Sequence, residues 1–184
     1  MKSKLITGNV WGRLSAAAKT SQRPSWVAVA YFSEAAGRLL PLRQGSRLVI
    51  DASLGAVGSG QTHPETLLKL VRRGVRVYSV ENLHAKVFVL GNRAFVGSAN
   101  VSQMSAQRLI EAVVATTDPA VVTNARDFVR SLCIEALSPQ ALEDLQESYR
   151  PPTIPGGGGA RRGTRRRPRA KVSALRIAQL ALGD

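Results

Sequence analysis

The sequence reads LHAKVFVL at residues 83–90, GSAN at residues 97–100, and places Glu111 eleven positions after the last of these. The first segment is apolar and rich in β-branched residues, which predicts a buried strand. Alternate side chains of a strand share a face, so His84 and Lys86 are expected side by side, with the alanine and valines behind them in the core. Lysine is seldom buried without a reason, so this face is a candidate for chemistry.

The segment GSAN predicts a turn that brings small polar groups to the same place. Ser98 and Asn100 offer hydroxyl and amide donors there. His84 supplies a nucleophile or general acid/base, and Lys86 supplies a fixed cation beside it. A phosphodiester site needs this combination of a nucleophile and positive or hydrogen-bonding groups around the phosphorus.

These residues resemble the phospholipase D superfamily, whose signature is H-x-K, four residues, Asp, a short spacer, G-S-x-N and a downstream acid. The specific match covers residues 83–111, and the surrounding strand and helix pattern extends it loosely over 25–137. The chain is identified as a nuclease-like member with a single H-x-K motif. The matching residues are His84, Lys86, Gly97, Ser98, Asn100 and, as the trailing acid, Glu111.

One position departs from that signature. The fifth residue after Lys86 is Gly91 where the family has Asp, and the spacer to Gly97 is about one residue shorter than usual. Gly91-Asn92 instead predicts a tight hairpin turn that requires a positive φ. The departure motivates an alternative function, in which the chain is a catalytically weak or inactive nucleic-acid-binding subunit of a restriction or defence complex.

The resemblance implies covalent catalysis through a phosphohistidine, in which two H-x-K motifs meet. One histidine attacks phosphorus and the other protonates the leaving oxygen. The chain has a single such motif, because His63, its other histidine, has no lysine two residues later. A homodimer is therefore expected, with His84 as nucleophile in one subunit and general acid in the other.

The resemblance also implies a role for each remaining site residue. Lys86 and Asn100 would stabilise the negative charge on the pentacovalent phosphorus, and Ser98 would donate to a phosphate oxygen. Glu111 would accept a hydrogen bond from an imidazole and fix its tautomer. Lysine and histidine take the charge role of a metal ion, and the sequence has no cluster with metal-ligand spacing, so we expect no metal and no cofactor.

The formal net charge is +14, which predicts a polyanionic partner. Residues 151–184 hold eight Lys/Arg and one Asp, so half of the excess lies in this tail and half in the body. We expect nucleic acid as the partner, DNA rather than RNA, with a larger nucleoprotein or defence complex as a further candidate. The tail residues expected to bind it are Arg161, Arg162, Arg165, Arg166, Arg167, Arg169 and Lys171.

The motif and the charge together favour three candidate functions, in the following order. The leading one is a metal-independent DNA or RNA nuclease, followed by the nucleic-acid-binding subunit. The third is a phospholipase or phosphatidyl transferase held at anionic membranes by the arginine-rich tail. The sequence has no apolar run of about 20 residues that could span a bilayer, so we expect no stable membrane insertion and a cytoplasmic location.

Alternating strand and helix patterns predict an α/β fold, a mixed sheet flanked by helices in a phospholipase D-like sandwich, with a disordered basic C-terminal tail. The expected domains are an N-terminal extension at 1–24, the catalytic domain at 25–150, a Gly/Arg-rich linker and tail at 151–170, and a short C-terminal helix at 171–184. The pattern predicts strands at 26–32, 47–52, 75–80, 83–90, 93–96 and 110–116, a loop at 53–62, and helices that begin near Ser33, Pro64, Pro119 and Pro139.

Overall fold

A computed structural model describes residues 3–152. The predictions for the disordered basic tail, its seven cations and the helix at 171–184 lie outside these residues. In chain order the elements are β1 (Lys4–Ile6), α1 (Val10–Thr20), β2 (Trp26–Val29), α2 (Ala36–Leu39), β3 (Arg47–Ile50), α3 (Leu54–Gly58), α4 (Pro64–Arg72), β4 (Arg76–Ser79), β5 (Lys86–Leu90), β6 (Arg93–Gly97), α5 (Gln103–Gln107), β7 (Val113–Thr116), α6 (Pro119–Ser131) and α7 (Pro139–Ser148).

The strands form one mixed sheet in the order β1-β7-β6-β5-β2-β3-β4. Strands β2, β3 and β4 are parallel to one another, and the remaining neighbours pair antiparallel. Helices cover both faces, which confirms the predicted α/β fold. The parallel half is connected through α2, α3 and α4, as parallel strands require a crossover between them.

Each face of the sheet packs a separate core. On one face, Leu14 of α1 and Leu67 of α4 are fully buried with Phe88 of β5. On the other face, Val129 of α6 packs with Val87 and other apolar residues of β2 to β5. Burying a side chain of this size contributes about 1.5–3 kcal/mol, so both helix layers hold the central strands in place.

Local sequence determines where the helices begin. The Asp118 carboxylate accepts hydrogen bonds from the amides of Ala120 and Val121 at the start of α6. The Ser138 hydroxyl accepts from the amide of Ala141 in the same way at α7, and a proline follows each cap. These two predicted helix starts are confirmed. Between residues 3 and 152, no helix is both long enough and apolar enough to cross a membrane.

The predicted turn between β5 and β6 is confirmed. Leu90 pairs with Arg93, so the loop between the strands has two residues. Gly91 has a φ of 66°, while Asn92 does not have a positive φ. A positive φ at the first central residue alone is the type II′ pattern, which favours glycine there. Gly91 therefore forms the hairpin turn at the position where the resembled signature has Asp.

The N-terminal residues belong to the folded domain, although the sequence predicts an extension at 1–24. Lys4–Ile6 pairs antiparallel with β7 at the edge of the sheet. Trp11 of α1 is buried and contacts Phe88 edge-on, with ring centroids 6.3 Å apart. A domain that began at residue 25 would expose this part of the core.

Two predicted strands start too early, and one predicted loop contains a helix. The sequence predicts a strand from Leu83, but β5 begins at Lys86, which pairs with Val29, the last residue of β2. The sequence predicts a strand from Ile110, but β7 begins at Val113 and Ile110 is 98% exposed. The predicted loop at 53–62 includes the short helix α3, which the Ser53 hydroxyl caps.

Candidate active site

His84 and Lys86 lie at the start of β5 in different environments. Lys86 is the first residue of the strand and is buried, whereas His84 lies before the strand and is exposed. The Lys86 ammonium donates a hydrogen bond to the backbone carbonyl of His84 over 2.9 Å. The expectation that both residues lie within one strand is therefore wrong, because β5 begins at Lys86. Lysine instead holds the backbone of the histidine, and the imidazole makes no hydrogen bond to the residues that the structure describes.

The turn that carries His84 is fixed by Asp51, a buried residue directly after β3. One carboxylate oxygen of Asp51 accepts from the amide of Ser53 at 2.9 Å, and the other accepts from the amide of Asn82 at 3.1 Å. Asp51 thereby ties the end of β3 to the residues just before His84. The sequence analysis missed it, although an acid directly after the apolar strand is a visible signal.

The segment from Gly97 to Asn100 begins at the last residue of β6 and packs against the start of β7 and the residue before it. A Cβ atom on Gly97 would overlap the carbonyl oxygen of Ala112 and lie 2.7 Å from the Cα atom of Val113, so only glycine fits. The Ser98 amide donates to the carbonyl of Ala112 at 3.0 Å. The Ser98 hydroxyl accepts from the amide of Ala112 at 3.1 Å. These contacts bring Ser98 beside Glu111.

Glu111 is buried and both of its carboxylate oxygens accept hydrogen bonds from serine hydroxyls. Ser98 donates to Oε2, and Ser105 donates to Oε1 at 2.5 Å. The indole N–H of Trp11 donates in turn to the Ser105 hydroxyl at 3.0 Å. We call these four residues the Glu111 network. Within the described chain Glu111 therefore contacts serines and not an imidazole, in contrast to the contact that the resemblance implies.

Sequence reasoning missed two members of the Glu111 network. Trp11 belongs to a segment that the sequence places outside the domain, and it is 94 positions away from Ser105. Ser105 lies in α5, a helix of five residues whose N-cap is Ser102. A serine at this position has an ordinary local explanation, so its sequence context gives no signal for contact with Glu111.

Asn100 has an unsatisfied polar atom. Its side-chain oxygen is buried and has no hydrogen-bond partner among residues 3–152, and the same holds for the hydroxyl of Ser33. Ser33 and Asn100 lie close together along the backbone contacts of the fold. The Ser33 amide donates a hydrogen bond to the carbonyl of Val101, the residue after Asn100, at 3.0 Å. Buried polar atoms without partners cost free energy, and a catalytic role is one of the reasons for which a protein keeps them.

The charges of Lys86 and Glu111 interact with each other. Burial lowers the pKa of the Lys86 ammonium from its ordinary value, and the negative charge of Glu111 acts in the opposite direction. A second anion near Lys86 would add to the effect of Glu111 and favour the charged lysine. Among residues 3–152, no cluster of three His, Cys, Asp or Glu side chains has the placement to hold a metal ion.

The site therefore consists of two groups of residues. The first is His84 with Lys86, joined by a hydrogen bond at the start of β5. The second is Ser98 with Glu111, joined between the end of β6 and the start of β7. Since β5 and β6 are adjacent antiparallel strands, both groups lie at the same end of the sheet. Asn100 follows Ser98 with a free acceptor.

Comparison with known proteins gives one family match. The model of the family described as cardiolipin synthase, PLD-like domain, matches residues 16–132. No curated protein matches the sequence. The matched residues include all five predicted catalytic residues, from His84 to Glu111, whereas the seven predicted nucleic-acid-binding residues of the tail lie outside the match.

Several solved structures share the fold. Nuc from Salmonella typhimurium, a phospholipase D family member, has a TM-score of 0.61 at 13% identity, over 74% of this chain and 97% of that chain. NucT from Helicobacter pylori has a TM-score of 0.57 at 13% identity, over 74% and 98%. Phosphatidylserine synthase from Haemophilus influenzae Rd KW20 has a TM-score of 0.55 at 10% identity, over 79% and 41%.

Proposed function

Because this chain belongs to the PLD-like domain family of the phospholipase D superfamily, we propose that it is a metal-independent phosphodiesterase that cleaves DNA. The observation that carries the proposal is the geometry at the start of β5. The His84 imidazole is exposed and unpaired within the described residues, while Lys86 holds its backbone in place. A nucleophile needs this combination of access and fixed position.

The proposed reaction has two displacements. An imidazole nitrogen of His84 attacks phosphorus, the bond from phosphorus to the leaving oxygen breaks, and the partner subunit's His84 gives a proton to that oxygen. The partner subunit's His84 then takes a proton from water, which attacks the phosphohistidine and releases the phosphate product. The partner subunit's His84 loses one proton in the first displacement and regains one in the second, so the net reaction consumes the diester and one water.

Lys86 and Asn100 act on the charge that develops at phosphorus. The ammonium of Lys86 has three donors and uses one on the carbonyl of His84, so two remain for phosphate oxygens. The Asn100 amide donates beside it, and its free oxygen can accept from a protonated imidazole. The Glu111 network fixes Ser98 and places a negative charge near Lys86, which opposes the larger effect of burial on the pKa of the lysine.

DNA is the proposed substrate because the chain is strongly basic. Its formal net charge of +14 suits a polyanion, and the seven cations of the tail are proposed to make phosphate contacts that carry no sequence information. Incubation of the purified protein with labelled DNA, labelled RNA and phospholipid vesicles in EDTA tests the proposal. Cleavage of DNA supports it. Binding of DNA without cleavage would support the nucleic-acid-binding subunit instead, for which Gly91 is the argument.

A second copy of the chain completes the proposed site, and exposed apolar residues beside Glu111 support this. Ile110 is 98% exposed and Leu109 is 56% exposed, directly before the buried Glu111. Met104 of α5 is 46% exposed in the same segment. A group of large apolar side chains on the surface next to a site is typical of an interaction surface.

The dimer proposal predicts the effect of a charge at this surface. In Ile110→Asp the carboxylate would lie in the interface, so we expect a monomeric mass by light scattering at micromolar concentration and loss of cleavage. Ile134→Asp is the matched control, because Ile134 is 86% exposed and precedes Ala136, which bridges to Tyr78 in β4 at the other edge of the sheet. A dimeric and active Ile110→Asp protein would contradict the proposal.

Mixed dimers test whether the two histidines share one site. Wild-type and His84→Ala chains with different affinity tags are co-expressed in equal amounts and purified without selection. If each site requires both histidines, only wild-type homodimers cleave, and activity per total chain falls to about a quarter of the wild-type value. Independent subunits would retain about half. The second result would overturn the shared site while leaving His84 as a catalytic residue.

A further inference from the structure

A groove runs between α1 and the edge of the sheet formed by β1, β7 and β6. Its volume is about 710 Å³, and three cations line it, namely Lys4, Arg13 and Arg93. None of its lining residues, all of which lie in the described part of the chain, is an Asp or a Glu. We call it the α1 groove. It is separate from the residues assigned to the phosphohistidine chemistry.

Strand register fixes the floor of the α1 groove. Lys4 pairs with Ala115, and Ala115 pairs with Phe95, so these three residues form a row across β1, β7 and β6. Directly paired residues point to the same face of a sheet. Phe95 also pairs with Phe88, two residues after Lys86. The floor of the α1 groove and the side chain of Lys86 therefore belong to the same face.

One end of the α1 groove lies at the end of the sheet that carries the candidate site. Ile6 lines it and pairs with Val113, and Val113 pairs with Gly97 at the start of the GSAN segment. Arg93 lies four residues before Gly97 on β6, a distance of about 13 Å at 3.3 Å per residue. The groove thus extends from the level of the site toward the hairpin at Gly91, with Arg13 of α1 on its wall.

The cations of the α1 groove have no counter-charge. Lys4, Arg13 and Arg93 form no salt bridge with any described residue, whereas Lys69, Arg72 and Arg130 elsewhere on the surface each pair with a carboxylate. Like charges that line one concave surface raise its potential and attract anions. A row of anionic groups with regular spacing along the groove would satisfy all three.

We propose that the α1 groove binds the sugar–phosphate backbone of the nucleic-acid strand that leaves the active site. The inference rests on the proposed function, since it takes nucleic acid as the substrate. Phosphates would contact Lys4, Arg13 and Arg93, and the uncharged part of the floor, at Ala115, would face the sugars. These contacts are electrostatic and independent of base sequence, so the groove sets affinity and leaves the chemical step unchanged.

Removal of two groove cations tests the proposal in the full-length protein. The double variant Arg13→Gln/Arg93→Gln is compared with Arg73→Gln/Arg76→Gln, which removes the same charge at exposed positions at the β4 edge. Both pairs are made in a His84→Ala background, so that labelled single-stranded DNA stays intact while its dissociation constant is measured against salt concentration. Melting temperatures report whether each variant is folded.

The groove variant is expected to bind less tightly with a weaker salt dependence. Loss of two phosphate contacts lowers the slope of log affinity against log salt by about 1.4, at about 0.7 per contact on a single strand. Between 1 M and 0.1 M salt, this difference in slope lowers the affinity of the groove variant relative to the wild type by about 25-fold. The control pair should retain the wild-type slope. A groove variant with the wild-type slope and affinity would overturn the proposal.

Two further measurements separate this proposal from the proposed function. In the active background, the groove variant should hydrolyse bis(p-nitrophenyl) phosphate at the wild-type rate, because this small diester reaches His84 without occupying the groove. Absence of that hydrolysis in the wild type would defeat the nuclease and leave the groove as a binding surface. If the groove variant instead loses affinity for anionic lipid vesicles and keeps its affinity for DNA, a membrane is the partner and the proposal fails.

Discussion

Replacement of His84 by alanine is expected to lower phosphodiester cleavage by about a thousandfold or more, because the side chain forms the covalent bond to phosphorus. The same change should leave the free energy of unfolding within about 0.5 kcal/mol of the wild-type value, since the imidazole is exposed and packs against nothing in the core. Cleavage of labelled DNA in EDTA and thermal unfolding measure the two quantities.

His63 provides the matched control for that variant. Its imidazole accepts from the amide of Thr66 at the start of α4, and its ring contacts Tyr149 edge-on with centroids 4.6 Å apart. His63→Ala should therefore destabilise the protein by about 1 kcal/mol, the usual cost of losing an N-cap. Its cleavage rate well below the melting temperature should be normal. If His63→Ala abolishes cleavage and His84→Ala does not, the proposed site is wrong.

Replacement of Lys86 by methionine is expected to stabilise the fold while it abolishes function. Lys86 is buried at the start of β5, and burial lowers the pKa of its ammonium because the charged form is poorly solvated there. Methionine fills a similar volume and removes the cost of burying the ammonium, which exceeds the attraction of Glu111, so we expect the free energy of unfolding to rise by about 1 kcal/mol. Turnover should fall about 10²- to 10³-fold, as when one donor to a transition-state oxygen is removed.

A variant with a higher free energy of unfolding and a lower turnover identifies a residue that is retained for function and not for folding. Lys69→Met is the control, because Lys69 is an exposed lysine whose ion pair with Glu65 is of the kind that contributes little. Lys69→Met should change neither the free energy of unfolding nor the turnover. A destabilised Lys86→Met protein with normal turnover would show instead that the hydrogen bond to the carbonyl of His84 is a structural contact alone.

The parts of this fold that are encoded locally could be predicted from the sequence. Asp118-Pro119 and Ser138-Pro139 each combine a capping side chain with a proline suited to the first helical turn, and both helices start there. Gly91 and the alternating residues around it predict the hairpin of β5 and β6 for the same reason. In each case the decisive interactions join residues a few positions apart.

The remaining features depend on residues far apart in the chain. The turn before β5 is held by a hydrogen bond from the amide of Asn82 to the carboxylate of Asp51, 31 positions away, which no local pattern reveals. β1 has three residues that are mostly exposed, and its partner β7 lies more than a hundred positions later. The Glu111 network could not be foreseen, because it requires knowing that Trp11 of α1 packs against α5.

The Glu111 network also constrains the order in which a working protein can be made. Synthesis proceeds from the N-terminus, so Trp11 leaves the ribosome long before Ser105, which is 94 positions later, and the edge strand β1 emerges long before β7. Contacts of such long sequence separation form late in folding. His84 and Lys86 are thus present on the nascent chain well before Glu111 has any partner. The nascent chain therefore contains His84 without the Glu111 network until β7, the last strand of the sheet, has been translated.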